Sequence, residues 1–518
     1  MANTRKAAAV LVLLSSWWLM TPVPAAQAAM SLADAGEVGN RDHMSLRRAI
    51  RDRLLSRPAV MAAHAVALVV LSRLLSPTDF GLFALAAVVH QIVVAIADLG
   101  IKSQLLKTTT LDPRHHGEAF GLALLSAFIV GVAFLGVIHL LPDEVVSPRL
   151  DPALWILAAM IFLGPLELLF NIPLMQSMRF GLVSVINVAG AWVRCVVSIV
   201  AAVYGAGPAA LAAGFLAEQI VSFALFACAR RGDAMPTPRI TGWYGLIADG
   251  LHLSSAQVVR RLGDLGMMGA ISAVLGVATL GIYNRADQII KLFDKVFIDS
   301  ISPVVLPAFV QAIEHGHRPA AIYLKKVELL SALIWPAFAM LALLAEPLCR
   351  VVLGPGWPAA PAIVQFLAVI GIVKPFTKMN QALFIALGEL RLGTRLDILH
   401  HVTRATFASA GALISLEAAC VGLILAQITS GVWQTLAFGR LTGVSKKQLS
   451  SVALSSGLLM AFAVGSAAAT LYFVPNDKDL LQLFVAGMAG AAGFAIAAVI
   501  MRHALYFEAR KALKSLSF

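Results

Sequence analysis

Charge is what this chain has least of. Of its 518 residues only 13% are Asp, Glu, Lys or Arg, against 59% hydrophobic ones. A soluble surface needs far more charge than that, so a soluble globular protein of this length is excluded. Cysteine is scarce as well. Cys195, Cys228, Cys349 and Cys420 lie in or at the ends of apolar runs, without Cys-x-x-Cys or His/Cys ligand spacing. No disulfide framework and no metal site can be read from them. The chain also lacks a phosphate-binding glycine loop followed by Lys-Ser/Thr, a nucleophile elbow and a metal triad. Acidic residues are the minority charge, 28 against 40 Lys and Arg, a net +12. In a chain this apolar, the place of that excess reports membrane topology and gives no nucleic-acid signal.

What is present is a train of apolar spans. From Pro58 onward, fourteen stretches are long enough for a ~30 Å hydrocarbon core. Their approximate limits are 58–75, 80–100, 118–140, 153–176, 181–204, 208–228, 248–274, 280–309, 326–352, 360–387, 394–415, 418–438, 449–474 and 481–503. Turn chemistry separates them, as in SPTD at 76–79, LGPGWP at 353–358 and VPND at 474–477. The expected fold is an all-α polytopic membrane protein of about fourteen transmembrane helices. With the N-terminus inside and the spans alternating, 25 Lys and Arg fall in cytoplasmic segments and only Arg149 and Lys478 in outer loops. That split fixes the expected orientation, with both termini cytoplasmic.

The start is ambiguous. Residues 1–29 mimic a secretory signal, with Arg5-Lys6, an apolar run and a small-residue stretch ending at Ala29. Six arginines between Arg41 and Arg57 follow, and cleavage would place them outside. The favoured alternative is a functional start at Met44, with 1–43 a dispensable extension; a true signal peptide or extra anchor is the other.

The halves repeat. Residues 75–86 align without gaps to 275–286, with Leu75/Leu275, Gly81/Gly281 and Ala86/Ala286 identical. Six spans separate the copies, an even number, which implies parallel repeats about an axis along the membrane normal. The expected division is therefore 44–228 and 248–442 as two six-helix bundles, 229–247 as a cytoplasmic linker, and 443–518 as two added helices with a basic tail.

Charge inside the apolar spans concentrates at 251–309. A lone charge at a helix centre costs ~2.5–3.5 kcal/mol on insertion scales, so such groups face a bundle interior or a wet cavity. Ser254, Gln257, Arg260, Arg261 and Asp264 share about a third of one helix circumference. In the next span Asn284, Asp287, Gln288, Lys291, Asp294, Lys295 and Asp299 share one half, opposite Ala286, Ile289, Ile290 and Phe293. Two accounts compete: pairing within each helix, Arg260–Asp264 and Asp287–Lys291, or a hydrated cavity for a polar anionic substrate.

Several stretches together carry a family resemblance: RLLSPTDFGLFALA (73–86), FGLVSVINVAGAWVR (180–194), RRLGDLGMMGAISAVLGVATLGIYNRAD (260–287) and SPVVLPAF (302–309). From about Met44 the chain resembles the polysaccharide flippases, the O-antigen, capsule and exopolysaccharide lipid-carrier exporters related to MATE-type exporters. The resemblance implies two six-helix bundles facing a central cavity. It also implies an undecaprenyl-diphosphate-linked oligosaccharide as cargo, moved to the outer leaflet of a bacterial inner membrane. Arg261-Leu-Gly-Asp264 matches the family's Asn/Arg-x-x-Asp element, whereas the extension before Met44 departs from the pattern.

A diphosphate needs cations, and arginine's fork suits it. Arg260, Arg261, Arg285 and Lys291 are the diphosphate candidates, with Asp264 holding the arginines; Arg194, Lys374 and Lys378 are weaker ones. His64, Asp98 and Asp287 are coupling candidates for protons or sodium, with Glu167 and Glu218 behind them; a packing role competes for His64. Gly164-Pro165, Pro173, Pro303, Pro307 and Pro336 can bend helices for alternating access. No catalytic residue, metal or cofactor is expected. Expected partners are the lipid-linked oligosaccharide and membrane lipids, with a polysaccharide polymerase and a chain-length regulator beside them, and no nucleic acid. A MATE-like multidrug or cation antiporter is the rival transporter, and a membrane polysaccharide polymerase the enzymatic rival.

Overall fold

The computed structural model describes residues 40–105, 113–140, 147–230, 237–239, 242–297, 319–475 and 478–506, save Met178 and Arg502, together with Phe309 and Ile313. Among them there are helices and no strands. The extension 1–39, most of SPVVLPAF, Asp299, Pro303 and Pro307 lie outside the described residues.

The chain divides into two compact units, 37–281 and 282–518. The first holds α1 (Asn40–Leu74), α2 (Pro77–Asp98), the one-turn α3 (Ile101–Leu105), α4 (Pro113–Leu140), α5 (Asp151–Gln176), α6 (Phe180–Val203), α7 (Pro208–Ala229) and α8 (Trp243–Leu275). Helix α9 (Val277–Phe297) begins in the first unit and continues in the second. The second unit adds α10 (Pro319–Leu343), α11 (Ala345–Val352), α12 (Ala360–Ala386), α13 (Leu390–Ala412), α14 (Leu416–Thr442), α15 (Lys446–Leu471) and α16 (Asp479–Ile500).

Apart from α3 and α11 these helices are 21 residues or longer, and each falls on one of the expected spans. Eleven are long and apolar enough to cross a bilayer, which makes this a multi-pass membrane protein. The long helices outside that set are α8, α9 and α13, each of which carries four or more charged residues.

The packing break differs from the expected repeat boundary by one helix. Trp243 Nε1 donates to the Glu118 carbonyl at 3.1 Å, and Gln104 Nε2 donates to the Leu246 carbonyl at 2.7 Å. These bonds tie α8 to α4 and α3, so α8 packs with the first unit although the repeat groups it with the second half.

The SPTD turn starts α2 for a local reason. Ser76 accepts from the Asp79 N–H at 3.2 Å and Asp79 Oδ2 accepts from the Ser76 N–H at 3.0 Å, a capping box with Pro77 in the first turn. The glycine of the motif has a separate role. A Cβ on Gly81 would lie 2.8 Å from the Val277 carbonyl carbon, and one on Gly281 would lie 2.7 Å from that of Pro77. Residues 77 and 277 are equivalent under the 200-residue offset. The two repeat copies therefore cross each other reciprocally at the starts of α2 and α9, as a local two-fold between these stretches requires.

In the second unit α15 and α16 pack on α10 through small residues. Ser456, Ala463, Ala467 and Ala486 are buried, and the Ser331 and Ser456 hydroxyls are 2.8 Å apart. Their outward faces expose Leu454, Phe462, Phe484 and Ile500, the surface a bilayer solvates. Arg350 on α11 donates to Asp479 Oδ1 at 3.2 Å, while His503 lies 3.4 Å from Glu328 near the start of α10. The two contacts mark opposite ends of this bundle. The spans place Arg350 within 326–352; it sits instead at the end that holds Lys478, which adds a third basic residue to the expected outer side.

Candidate functional site: a polar cavity in the first unit

The helices of the first unit line a half-open cavity of about 480 Å³. Its wall is polar far beyond what apolar spans lead one to expect. Helix α2 supplies His90, Gln91 and Asp98, and α3 supplies Lys102. Glu167 and Asn171 come from α5, Asn187 from α6, and Phe215, Glu218, Gln219 and Ser222 from α7. Helix α8 closes it with Gln257 and Arg261. Helical spacing explains two of these faces: Gly164, Glu167 and Asn171 are i, i+3 and i+7, and Glu218 and Ser222 are i and i+4. Pro165 adds room, because it gives no N–H to the Ile161 carbonyl one turn earlier, and both residues border the cavity.

Several buried polar atoms of this wall make no hydrogen bond among the described residues: Nδ1 of His90, Oδ1 of Asn171 and Oε1 of Gln219. Gln219 spends its amino group on the Met160 carbonyl at 3.3 Å. The charged groups are partly matched. Arg261 Nη1 is 3.8 Å from Asp264 Oδ2, with Arg261 40% exposed and Asp264 16%. Arg194 Nη1 is 3.6 Å from Glu218 Oε2, and its guanidinium lies 3.5 Å over the Phe215 ring.

The other sequence-derived candidates fall in different surroundings. Arg260 is exposed and off the cavity wall. His64 Nδ1 is 2.8 Å from the Val60 carbonyl of its own helix. In the second unit Arg285 is only 2% exposed and donates to Gln288 Oε1 at 2.8 Å. Gln288 in turn donates to Asn284 Oδ1 at 2.9 Å. Lys291 pairs with Asp287 at 2.5 Å, the intrahelical pair expected from spacing. Lys374 on α12 pairs with Asp294, and the charge of Arg404 also acts on Asp287. Lys378 has no described side chain. Within each unit, then, the structure brings Asp98, Glu167, Glu218 and Arg261 to one cavity, and ties Asp287, Lys291, Asp294 and Lys374 into pairs.

Sequence reasoning missed Asn171, Asn187, Gln219 and His90. The available signal was modest: single amides inside otherwise apolar spans, two of them one turn or one residue from a carboxylate. Arg404, a lone cation inside the α13 span, was missed as well.

A protein family described as "Polysaccharide biosynthesis protein" matches residues 70–362. Among similar proteins, the succinoglycan biosynthesis transport protein ExoT of Rhizobium meliloti is 23% identical over 329 residues, 62% of this chain and 65% of that protein. The lipopolysaccharide biosynthesis protein WzxC of Escherichia coli K12 is 20% identical over 358 residues, 65% of this chain and 69% of that protein. The chain thus spans about two thirds of the length of these relatives. Among solved structures, lipid II flippase MurJ in an inward closed conformation aligns with a TM-score of 0.69 at 13% identity, covering 88% of this chain and 100% of that one. A MATE structure in the bent conformation aligns at 0.50 and 16% identity, covering 83% and 99%. The fold is that of the MATE- and MurJ-type transporters.

Proposed function

Because the chain belongs to the polysaccharide biosynthesis protein family, we propose that it is a flippase for an undecaprenyl-diphosphate-linked oligosaccharide. It moves this lipid from the inner to the outer leaflet of a bacterial inner membrane by alternating access. The observation that carries the proposal is the polar cavity inside an apolar helical unit, with Arg261 in its wall. A glycan crossing hydrocarbon needs a hydrated, hydrogen-bonding passage, and a diphosphate needs a fixed cation. The polyprenyl tail needs neither and can stay in lipid. Arg261 binds the diphosphate, assisted by Arg260 and, more weakly, Arg194; Asp264 orients Arg261. Buried Arg285 and paired Lys291 serve the second unit's own structure first. Asp98, which faces the cavity, is the stronger coupling group; Asp287 is held in an ion pair and His64 in its own helix. A polymerase and a chain-length regulator take over the product outside. The protein performs transport without bond chemistry.

The orientation places both termini in the cytoplasm with fourteen spans, α8, α9 and α13 included. In cysteine-free protein, a cysteine introduced for Val145 should react with an impermeant reagent from outside and one for Ala234 only from inside. Labelling of position 234 from outside would overturn the orientation.

Cells lacking the protein should accumulate lipid-linked repeat units on the inner leaflet and lose the surface polysaccharide. The antiporter reading has one observation in its favour: the cavity wall holds Asp98, Glu167 and Glu218 against Lys102 and Arg261. It predicts instead normal polysaccharide and heightened sensitivity to cationic drugs.

A further inference from the structure

The cavity of the first unit carries more information than the diphosphate reading uses. Five of its twelve polar wall residues are carboxamides: Gln91, Asn171, Asn187, Gln219 and Gln257 come from five different helices. We propose that this cavity is a sugar subsite, which takes uncharged, hydroxyl- or acetamido-bearing sugar rings of the cargo while Arg261 at its wall takes the diphosphate. The inference rests on the flippase proposal above and adds to it where and by what groups the glycan is recognised.

Three arguments support a sugar. First, the chemistry of the orphaned atoms is specific. Asn171 is 9% exposed, yet its amide oxygen has no donor among the described residues, and the Gln219 amide oxygen is in the same position. A buried acceptor without a donor is rare in native proteins and calls for a partner. These acceptors need O–H or N–H donors, which sugar hydroxyls and acetamido groups supply and phosphate oxygens do not. Second, the mixture is right. A carboxamide offers donor and acceptor on one rigid plane, which matches adjacent hydroxyls that are themselves both. Asp98, Glu167 and Glu218 accept from hydroxyls too, and they disfavour an anionic sugar in this place. Third, the size is right. At about 480 Å³ the cavity falls in the range that encloses a ligand of several rings, far larger than a bare cation needs.

The test uses the full-length protein in lipid nanodiscs and native mass spectrometry. The probes are undecaprenyl diphosphate, the same lipid bearing a neutral disaccharide, and the same lipid bearing a uronic acid. Wild type should bind the neutral glycolipid tightest. Asn171→Leu and Gln219→Leu should each lower affinity for the neutral glycolipid by roughly tenfold, about one hydrogen bond's worth, and leave undecaprenyl diphosphate unchanged. Should Asn171→Leu fold poorly, Gln91→Ala and Asn187→Ala, at exposed wall positions, give the same selective loss. Equal affinity of wild type for bare and glycosylated lipid overturns the subsite and leaves the flippase proposal standing. Failure to bind any undecaprenyl diphosphate lipid overturns both. If Asn171→Leu alters sodium binding and leaves lipid selectivity intact, the cavity is a cation site and the sugar assignment is wrong.

Discussion

The two units use the same polar residue types to opposite effect. In the second unit the charges answer one another: Lys291 meets Asp287, Lys374 meets Asp294, and Arg285 is buried on Gln288. In the first unit the pairs are looser, 3.6 Å for Arg194–Glu218 and 3.8 Å for Arg261–Asp264, and Glu218 and Arg261 border the cavity. Buried acceptors without a donor among the described residues occur in both units, at Asn171 and Gln219 in the first and at Asp294 and Asn380 in the second. An intramembrane charge is therefore not by itself a substrate group. What separates scaffold from site is how closely an opposite charge holds it and whether it borders a cavity. Changes to the second unit's charged pairs should lower the amount of folded protein, and changes to the charges lining the first unit's cavity should lower transport more than amount.

The largest effect sets the scale for total loss. Gly81→Val drives a branched side chain into the backbone of Val277, which has no soft neighbour to yield. Membrane-inserted, monodisperse protein should be nearly absent on size-exclusion of a fluorescent fusion, and transport should vanish with it. Gly281→Val should do the same by striking Pro77. Normal amounts of either variant would contradict the reciprocal crossing.

Next comes the second unit's tightest interhelical pair. Both side chains of Lys374–Asp294 are about one-fifth exposed, at 18% and 21%. Removing one partner of a buried pair typically costs ~3–5 kcal/mol, and this partly solvated pair sits at or below the low end. Lys374→Leu should deplete the protein, and Asp294→Leu added to it should restore both the amount and transport. If the double variant is present in full but transports nothing, Lys374 belongs with the substrate and the contrast between the units fails.

Arg194 tests the first unit at intermediate strength. It has both an ion pair and a cation–π contact, the latter worth ~0.5–2 kcal/mol. Arg194→Met should cost some stability, seen as a few degrees in melting temperature, and should reduce transport more than amount. A loss of amount equal to the loss of transport would place Arg194 with the scaffold.

Much of this fold could be read from the sequence, and the limits of that reading are physical. Apolar length and turn chemistry located each long helix, because in hydrocarbon a helix must satisfy its own backbone. The hairpin repeat was legible through Gly81 and Gly281, since a close backbone crossing tolerates nothing larger. Helix α9 was legible as amphipathic: Ala286, Ile289 and Ile290 are buried, and Lys291 and Lys295 are exposed. The packing break at 281/282 was not, because α8 is held by Trp243 and Gln104, whose partners lie far off in sequence. The cavity was not legible either. Asp98, Glu167 and Glu218 stood out singly as costly intramembrane acids, but no local spacing reveals that seven helices bring them together with Asn171 and Gln219.

Arg261 is the residue on which scaffold and site readings meet, and the change there with the smallest structural cost has the most to say. With Asp264 expected to hold the arginines, one account makes Arg261 its buried ion-pair partner, whose removal would strand Asp264 and destabilise the protein. The structure weakens that account. Arg261 is 40% exposed and 3.8 Å from the carboxylate, and pairs this solvated contribute ~0–1 kcal/mol. Arg261→Ala should therefore leave the amount of protein within experimental error of wild type, while lipid-linked repeat units accumulate on the inner leaflet. Arg261→Lys should retain part of the transport, because the charge remains and the bidentate fork is lost. Arg261→Glu should retain none, since it adds a fourth acid to the wall. Arg261→Leu with Asp264→Leu separates the two accounts directly. If the arginine only neutralises the aspartate, the double variant transports as wild type does; if the arginine holds the diphosphate, it is abundant and inactive.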